Sequence, residues 1–508
     1  MAVYNGTSGN DWYGGTAGSD SIYGFGGADN LLGGDGADYI DGGDGNDNIL
    51  DFDGQGPDLY ADTLRGGGGD DYIYGGFLDN IDGGSGVDRL ILRLDYANTG
   101  INFNFTSLWS GATYTLAGAT IQGMEKLHWA TGSAYGDILT SGTPTGETSQ
   151  LSGLGGNDQL TGGAGTDYLD AQTAVGPYST VYDTAYDVLY GLGGNDILSC
   201  GIGDHVDGGT GIDRLNIDLI TSGGGVTIDF TTLLTSGSDT ILGTTLVSIE
   251  DIGTVMGTNG ADTIYAWADS TATTLYGRDG NDTLITGNGN DTLNGGTGAD
   301  TLQGGAGNDE YYVDNLGDST VESAGGGIDA VTTMISWTLA SDIERLTLDY
   351  YAGAIDGTGN GLANVLNGNN SANVLNGAGG DDTVNSLDGD DVLIGGAGRD
   401  DLIGGSGADR YVFDDGDMAG INWSTADRIF GFSSAAGDRI DLSGIDAIAG
   451  GADDAFTFIG TTAFSGVAGQ LRYDTGGVIY GDLNGDGLAD FAIGFNTAVS
   501  LTGTDFFL

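Results

Sequence analysis

Apolar residues in this chain come singly and at a fixed interval. Ile22, Leu31, Ile40 and Ile49 stand nine residues apart between mostly polar neighbours, and Leu160, Leu284, Leu302 and Leu393 hold the same place in later segments. An amphipathic helix would repeat its apolar positions every three or four residues. One inward side chain per unit instead suits a short x-U-x strand, U being apolar, whose two neighbours point outward. A strand of that length buries nothing by itself. Stacked on copies of itself, it adds one residue per unit to a narrow common core.

The residues between these strands are turn-formers. In residues 33–50, GGDGADYIDGGDGNDNIL, each nine-residue unit opens with two glycines and carries an acid at its sixth position. Glycine supplies positive φ and lets backbones approach closely. The pattern predicts an all-β chain, its short strands stacked turn upon turn into a solenoid, with β-rich insert segments and a C-terminal β cap.

The acids keep the same period. Asp11, Asp20, Asp29, Asp38 and Asp47 form a first run, which Asp71 extends. Asp158 and Asp167 form a second, with Asp187 and Asp196 in register beyond them. Asp282, Asp291, Asp300 and Asp309 form a third. The fourth is Asn364, Asn373, Asp382, Asp391, Asp400 and Asp409, its first two members neutral. Stacked turns would pile these carboxylates and nearby carbonyl oxygens into columns. Columns of oxygen suit hard divalent cations, Ca²⁺ above all; without ions they are ladders of repelling charge.

Charge reinforces that reading. Twelve Lys and Arg face 73 Asp and Glu, a formal charge of −61, which disfavours nucleic acid and anionic lipid as partners and attracts cations. With 102 glycines the chain resembles a flexible linker in composition alone. In-register repeats and regularly placed Leu, Ile, Val, Tyr and Phe argue for order instead. Cys200 is the only cysteine, so no intramolecular disulfide forms. Residues 1–10 lack the features of a cleaved signal peptide, and no run approaches the ~18 apolar residues of a membrane span.

The units resemble the RTX (repeats-in-toxin, hemolysin-type) nonapeptide GGxGxDxUx. The resemblance implies that two nonapeptides make one turn of a parallel β-roll, with several Ca²⁺ ions between successive turns. It implies as metal ligands the repeat aspartates named above: those of the first run with Asp71, then Asp158, Asp167, Asp196, the third run, and Asp382 to Asp409.

Less glycine-rich segments interrupt the repeats. GGSGVDRLILRL (83–94) matches GGTGIDRLNIDL (208–219), and GMEKL (123–127) matches SIEDI (248–252), so Asp88–Glu125 and Asp213–Glu250 share a separation of 37 residues. A third insert also ends in an acid-bearing element at Glu344. Stretches such as INFNF (101–105) and VTIDF (226–230) alternate and predict strands. The expected organisation is repeat blocks at 1–82, 136–207, 260–310 and 359–410, inserts at 83–135, 208–259 and 311–358, and a C-terminal domain at 411–508. Glu125, Glu250 and Glu344 read as a repeated corner or ion ligand rather than a carbohydrate-acting site, since a catalytic acid is rarely copied three times.

The C-terminal region resembles that of serralysin-type secreted metalloproteases, through DRIFGFSSAAGDRIDLSGIDA (427–447), AFTFIGTTAFSGVAGQLRYD (455–474) and GDLNGDGLADFAIGF (481–495). Asp482, Asn484, Asp486 and Asp490 have calcium-loop spacing, but Ile493 stands where an EF-hand needs Glu. The closing TDFFL (504–508) is of the kind that directs type I export from Gram-negative bacteria, which the resemblance implies. Calcium, scarce inside the cell and abundant outside, would couple folding to exit.

No catalytic constellation accompanies this resemblance. The only histidines, His128 and His205, make no HExxH, and no GxSxG elbow occurs. His128 is expected beside Trp129, and Cys200 as a buried structural thiol. The expected function is that of a secreted, non-enzymatic calcium-binding protein that forms a surface layer, matrix or filament, or serves adhesion. A polysaccharide-acting enzyme and a monomeric effector are the alternatives. Expected partners are the type I secretion apparatus, further copies of the chain and cell-surface polysaccharide.

Overall fold

The computed structural model describes residues 2–51, 60–116, 118–172, 185–220, 224–417, 420–422, 424–448 and 454–508. The chain packs as two compact units, one of Met1–Ser222 with Ile228–Gly257 and one of Gly223–Thr227 with Thr258–Leu508. Each is a parallel β-roll built from strands of mostly three to six residues.

In the first unit, alternate nonapeptides feed two sheets. One stacks Val3–Asn5, Ser21–Tyr23, Tyr39–Asp44, Thr63–Gly68 and Asn80–Ser85 in parallel. The other stacks Trp12–Gly14, Asn30–Leu32, Asn48–Leu50, Tyr72–Gly75 and Arg89–Arg93. Register places each central apolar residue on the next: Ile22 on Ile40 on Leu64 on Ile81, and Leu31 on Ile49 on Ile73 on Leu90. Ile22, Leu31, Ile40, Ile49, Leu160, Leu284, Leu302 and Leu393 are all fully buried. The second unit repeats the scheme, with Leu275, Leu293, Tyr311, Val331, Leu346 and Leu366 in one column. Tyrosines 311 and 411 replace the usual aliphatic residue and are likewise fully buried.

The paired inserts extend these sheets. Each contributes an antiparallel hairpin, Tyr114–Leu116 with Ala119–Gln122 and Ser238–Ile241 with Thr244–Val247, one strand of which pairs in parallel with the roll. The stretches expected as strands are strands only in part. Asn102–Asn104 and Thr227–Asp229 are strands, but a helical turn follows each, 3₁₀ at Phe105–Ser110 and α at Thr231–Ser236. The reason lies in FTSL and FTTL. Phe105 with Leu108, and Phe230 with Leu233, are buried at a three-residue spacing that only a helical turn brings to one face. Asn104 and Asp229 each accept the backbone N–H two residues on and start the turn.

In the C-terminal region Gln470–Asp474, Val478–Asp482 and Phe491–Phe495 form an antiparallel meander, and the last of them pairs in parallel with Asp427–Phe430 of the roll.

Candidate metal centre

Most turns end in a carboxylate that accepts a backbone bond from the equivalent residue one turn earlier. In the first unit the N–H of Asp11 donates to Asp29 Oδ1 at 2.7 Å, Asp29 to Asp47 at 2.8 Å, Asp47 to Asp71 at 2.8 Å and Asp71 to Asp88 at 2.8 Å. A parallel ladder runs from Asp20 to Asp38, Asp62 and Asp79. Later ladders link Asp137 to Asp158, Asp187 and Asp204, and Asp167 to Asp196 and Asp213. Among the described residues the second unit has four: Asp262 to Asp282, Asp300 and Asp318; Asp291 to Asp309 and Asp329; Asn364 to Asp382, Asp400 and Asp427; and Asn373 to Asp391, Asp409 and Asp438.

The second carboxylate oxygen divides the rungs into two kinds. At Asp29, Asp47, Asp71, Asp88, Asp196, Asp213, Asp282, Asp300, Asp309, Asp382, Asp400 and Asp409 the Oδ2 atom is buried and accepts no hydrogen bond. What it meets instead is oxygen. A methyl placed on Gly277 would lie 2.2 Å from Asp282 Oδ2 and 2.4 Å from the carbonyl oxygen of Gly295 on the next turn. Gly42 stands in the same relation to Asp47 Oδ2 and the Gly66 carbonyl, at 2.2 and 2.7 Å. Buried carboxylate oxygens without a donor, converging with a carbonyl oxygen on one glycine, are a donor set for a hard cation.

At several other rungs a protein N–H fills that role. Asp11, Asp20 and Asp167, all expected as metal ligands, receive Oδ2 bonds from the N–H groups of Thr7, Thr16 and Gly163 at 2.6–2.7 Å. Asp137 and Asp262 do the same with Ser133 and Thr258. The difference traces to the second residue of the turn. Where it is left-handed, as at Gly43, Gly67 and Gly296, or at Phe25, Leu192, Arg278 and Ala378, the rung is open. Where it is not, its N–H caps the carboxylate. Threonine, whose β-branch disfavours positive φ, closes the rung. The neutral rungs go further: Asn373 Nδ2 donates to the Ile355 carbonyl at 2.7 Å, and Asn364 Nδ2 to the Ile343 carbonyl at 3.1 Å. Their Oδ1 atoms are capped as well, by the N–H groups of Asn369 and Asn360 at 2.9 and 2.7 Å.

Burial, reinforced by neighbouring acids, pushes the carboxyls of Asp71, Asp196, Asp282, Asp309 and Asp382 up to about 7. Burial acts on Asp20 too, yet the N–H groups of Ala2 and Thr16 outweigh it and hold the carboxyl below its ordinary value. Asp291 and Asp391 lie in units that open with Thr286 and Ser386 instead of glycine; burial raises both carboxyls and these hydroxyls offset part of the rise.

Glu125, Glu250 and Glu344 are rungs of the same ladders. Their Oε2 atoms accept the N–H of Asp88, Asp213 and Asp329 at 3.0, 3.0 and 2.9 Å, while their own N–H groups donate to those residues' carbonyls. Each is followed two places on by a buried apolar residue (Leu127, Ile252, Leu346), so E-x-U stands where D-x-U stands elsewhere. Replacing Glu125 by alanine leaves the Asp88 N–H without this acceptor. The expected loss is roughly 1–3 kcal/mol in urea unfolding at saturating calcium, with Glu125→Gln recovering most of it. A loss below about 0.5 kcal/mol would rule out this structural role.

Asp62, Asp79, Asp137, Asp204, Asp262, Asp329 and Asp438 were not among the expected ligands, because insertions shift them out of the nine-residue count; Asp318 and Asp427 keep the count from Asp309 and Asp409 but lie in units without the opening glycine pair. The D-x-U pattern marks several of them, as in Asp62-Thr-Leu and Asp262-Thr-Ile. Asp51, Asp62 and Asp79, all buried, also bring carboxylate oxygens within 4.8 Å of one another. In the C-terminal loop, Asp482 accepts from the Gly485 and Gly487 N–H groups, and Asp490 from Leu483 N–H and Asn484 Nδ2. Asp486 caps the Leu488 N–H at 2.8 Å. His128 packs edge-on against Tyr72, two strands away in the same sheet, and His205 against Tyr190. Cys200 is buried and unpaired, its thiol pushed well up by that burial.

Comparison with protein families places the sequence model of the RTX calcium-binding nonapeptide repeat (four copies) on residues 5–40, 23–50, 58–77, 147–172, 184–204, 250–270, 274–315, 358–393 and 386–417. Comparison with curated protein sequences gives no match. The matched segments carry most of the open rungs, and the unmatched ones include the inserts with their hairpins and helical turns. The chain therefore carries RTX calcium-binding nonapeptide repeats in both of its units, and the ion those repeats bind is Ca²⁺.

Proposed function

We propose that this chain is a secreted, non-enzymatic scaffold that folds on calcium after type I export and builds an extracellular layer, matrix or filament. The observation that carries the reading is the set of open rungs: buried carboxylate oxygens facing carbonyls, which a cation must reconcile before the roll closes. Inside a cell, where calcium is scarce, the chain would stay unfolded and exportable; outside, mass action folds it. The ligands would be the open-rung aspartates, with Asp482, Asn484, Asp486 and Asp490 as a separate loop site. Residues 411–508, serralysin-like in sequence, would carry the export signal, and the eight segments from 1–82 to 411–508 would act as alternating repeat blocks and sheet-extending inserts. Exposed aromatics such as Trp12, Trp267, Tyr350 and Tyr351 offer contact surface for further copies or a cell-surface polysaccharide.

Electron microscopy of the purified chain tests assembly. Sheets or filaments are expected with millimolar calcium and none after its removal. Monomers alone, at high concentration with calcium, would overturn the assembly; release of reducing sugar or unsaturated uronate from a polysaccharide panel would overturn the non-enzymatic reading.

A further inference from the structure

The third insert adds a carboxylate to the ladder at a place where the repeat provides none. Asp309 and Asp329 occupy consecutive turns, Asp309 N–H donating to Asp329 Oδ1 at 2.8 Å. Both are at least 98 % buried, and the Oδ2 of each accepts no hydrogen bond. Glu322, from the insert, brings a carboxylate oxygen within 4.8 Å of an oxygen of each. None of the three acids makes an ion pair among the described residues.

Glu322 is held from two sides. The Tyr311 hydroxyl donates to its Oε1, and the Ser323 N–H donates to its Oε2 at 3.1 Å. Tyr311 is fixed in turn, since its Oη accepts the Gly304 N–H at 2.7 Å. A side chain at Gly304 would displace both groups, since a methyl there would lie 2.3 Å from Asp309 Oδ2 and 2.4 Å from Tyr311 Oη. The turn at Tyr411 gives a comparison. Gly404, Asp409 and Tyr411 repeat the geometry, a methyl on Gly404 meeting Asp409 Oδ2 and Tyr411 Oη both at 2.4 Å. There the next acid, Asp438, takes the Ser433 N–H at 2.7 Å.

We propose that Asp309, Glu322 and Asp329 form a three-carboxylate calcium site, distinct in composition from the ladder sites, in which Glu322 of the insert is a direct ligand. It rests on the reading that the open rungs hold calcium. Three carboxylates around one ion favour Ca²⁺, which accepts irregular oxygen shells, over Mg²⁺, which holds water and demands an octahedron. Since ligand charge count raises affinity, this site keeps its ion after the two-carboxylate rungs have lost theirs.

The test uses the full chain crystallised with Tb³⁺ as an anomalous probe, beside calcium counting by elemental analysis after gel filtration. In the wild type an ion is expected at about 2.3–2.6 Å from oxygens of all three residues. Glu322→Gln is expected to lose that peak and one bound Ca²⁺, or to hold it roughly tenfold more weakly, with the ion beside Asp300 unchanged. Glu322→Asp should restore part of the occupancy. An ion that leaves Glu322 uncoordinated, or equal occupancy in Glu322→Gln, would overturn the proposal while leaving the ladder sites standing. Ions absent from every turn would overturn both. Should Glu322→Gln fail to fold, the wild-type map decides alone.

Discussion

Stripped of calcium on a chelating resin at pH 7.5, the protein is expected to lose most of its β-sheet signal in far-ultraviolet circular dichroism. The signal should return on adding calcium, and also, without calcium, on acidification to about pH 4.5. The first half follows from the open rungs. With no cation, each leaves a buried carboxylate beside carbonyl oxygens and other acids, and such a charge is expensive to bury. The second half follows from linkage. In the cation-free fold, burial raises Asp71, Asp196, Asp282, Asp309 and Asp382 to about 7 and Asp427 to about 8, against ~3.9 in an unfolded chain. Between those values the fold holds protons that the unfolded chain has released. Stability of the cation-free fold is therefore full below about pH 4 and lost as pH rises through 6 to 8. Protons and calcium compete for the same oxygens, so calcium binding near neutrality should release protons into weak buffer. A β signal that survives calcium removal unchanged at pH 7.5 would contradict the whole account.

Much of this arrangement is readable in advance because each nonapeptide states its own geometry. Ile40 and Ile49 fill the core, and Asp38 and Asp47 end their turns in the ladder, because a nine-residue unit leaves one inward position and one turn-closing acid. Less legible was which acids stay open. That depends on the hand of one residue, and Phe25, Leu154, Leu192, Arg278, Ala378 and Leu387 take the left-handed conformation, φ 70–78°, without being glycine. The stacked turns on either side impose it, a tertiary effect that local propensity does not contain. Gly163 is the converse, a glycine at the second position that is not left-handed and closes the Asp167 rung. Threonine at that position was a usable signal, since Thr7, Thr16 and Thr258 all cap their aspartates. The helical turns in the inserts were hidden because alternation in INFNF and VTIDF is genuine for three residues and then stops at a buried phenylalanine.

Gly298→Ala is expected to damage the second unit severely even at saturating calcium, by roughly 3–5 kcal/mol from backbone strain and overpacking together. Gly298 sits at φ +149°, a conformation that only glycine adopts readily, and an added methyl would lie 1.4 Å from the carbonyl oxygen of Gly280 on the preceding turn. Neither partner can yield. The Gly280 N–H is bonded to the Thr297 carbonyl at 2.9 Å, and Thr297 N–H to the Arg278 carbonyl at 2.7 Å, so the two turns are laced together at the point of collision. Separating them would draw Asp282 away from the Gly295 carbonyl and open the oxygen cluster that calcium needs. The variant should thus unfold at lower urea and require more calcium to fold, the calcium shift being the smaller because the lost free energy is shared among all ions bound on folding. Gly361→Ala is the control: nothing lies within 4 Å of the added methyl and its φ is not positive, so a change within about 0.5 kcal/mol is expected. Equal urea midpoints for Gly298→Ala and Gly361→Ala would mean that the turns do not stack as closely as this geometry requires, and with that the convergence of carboxylate and carbonyl on one ion would fail too.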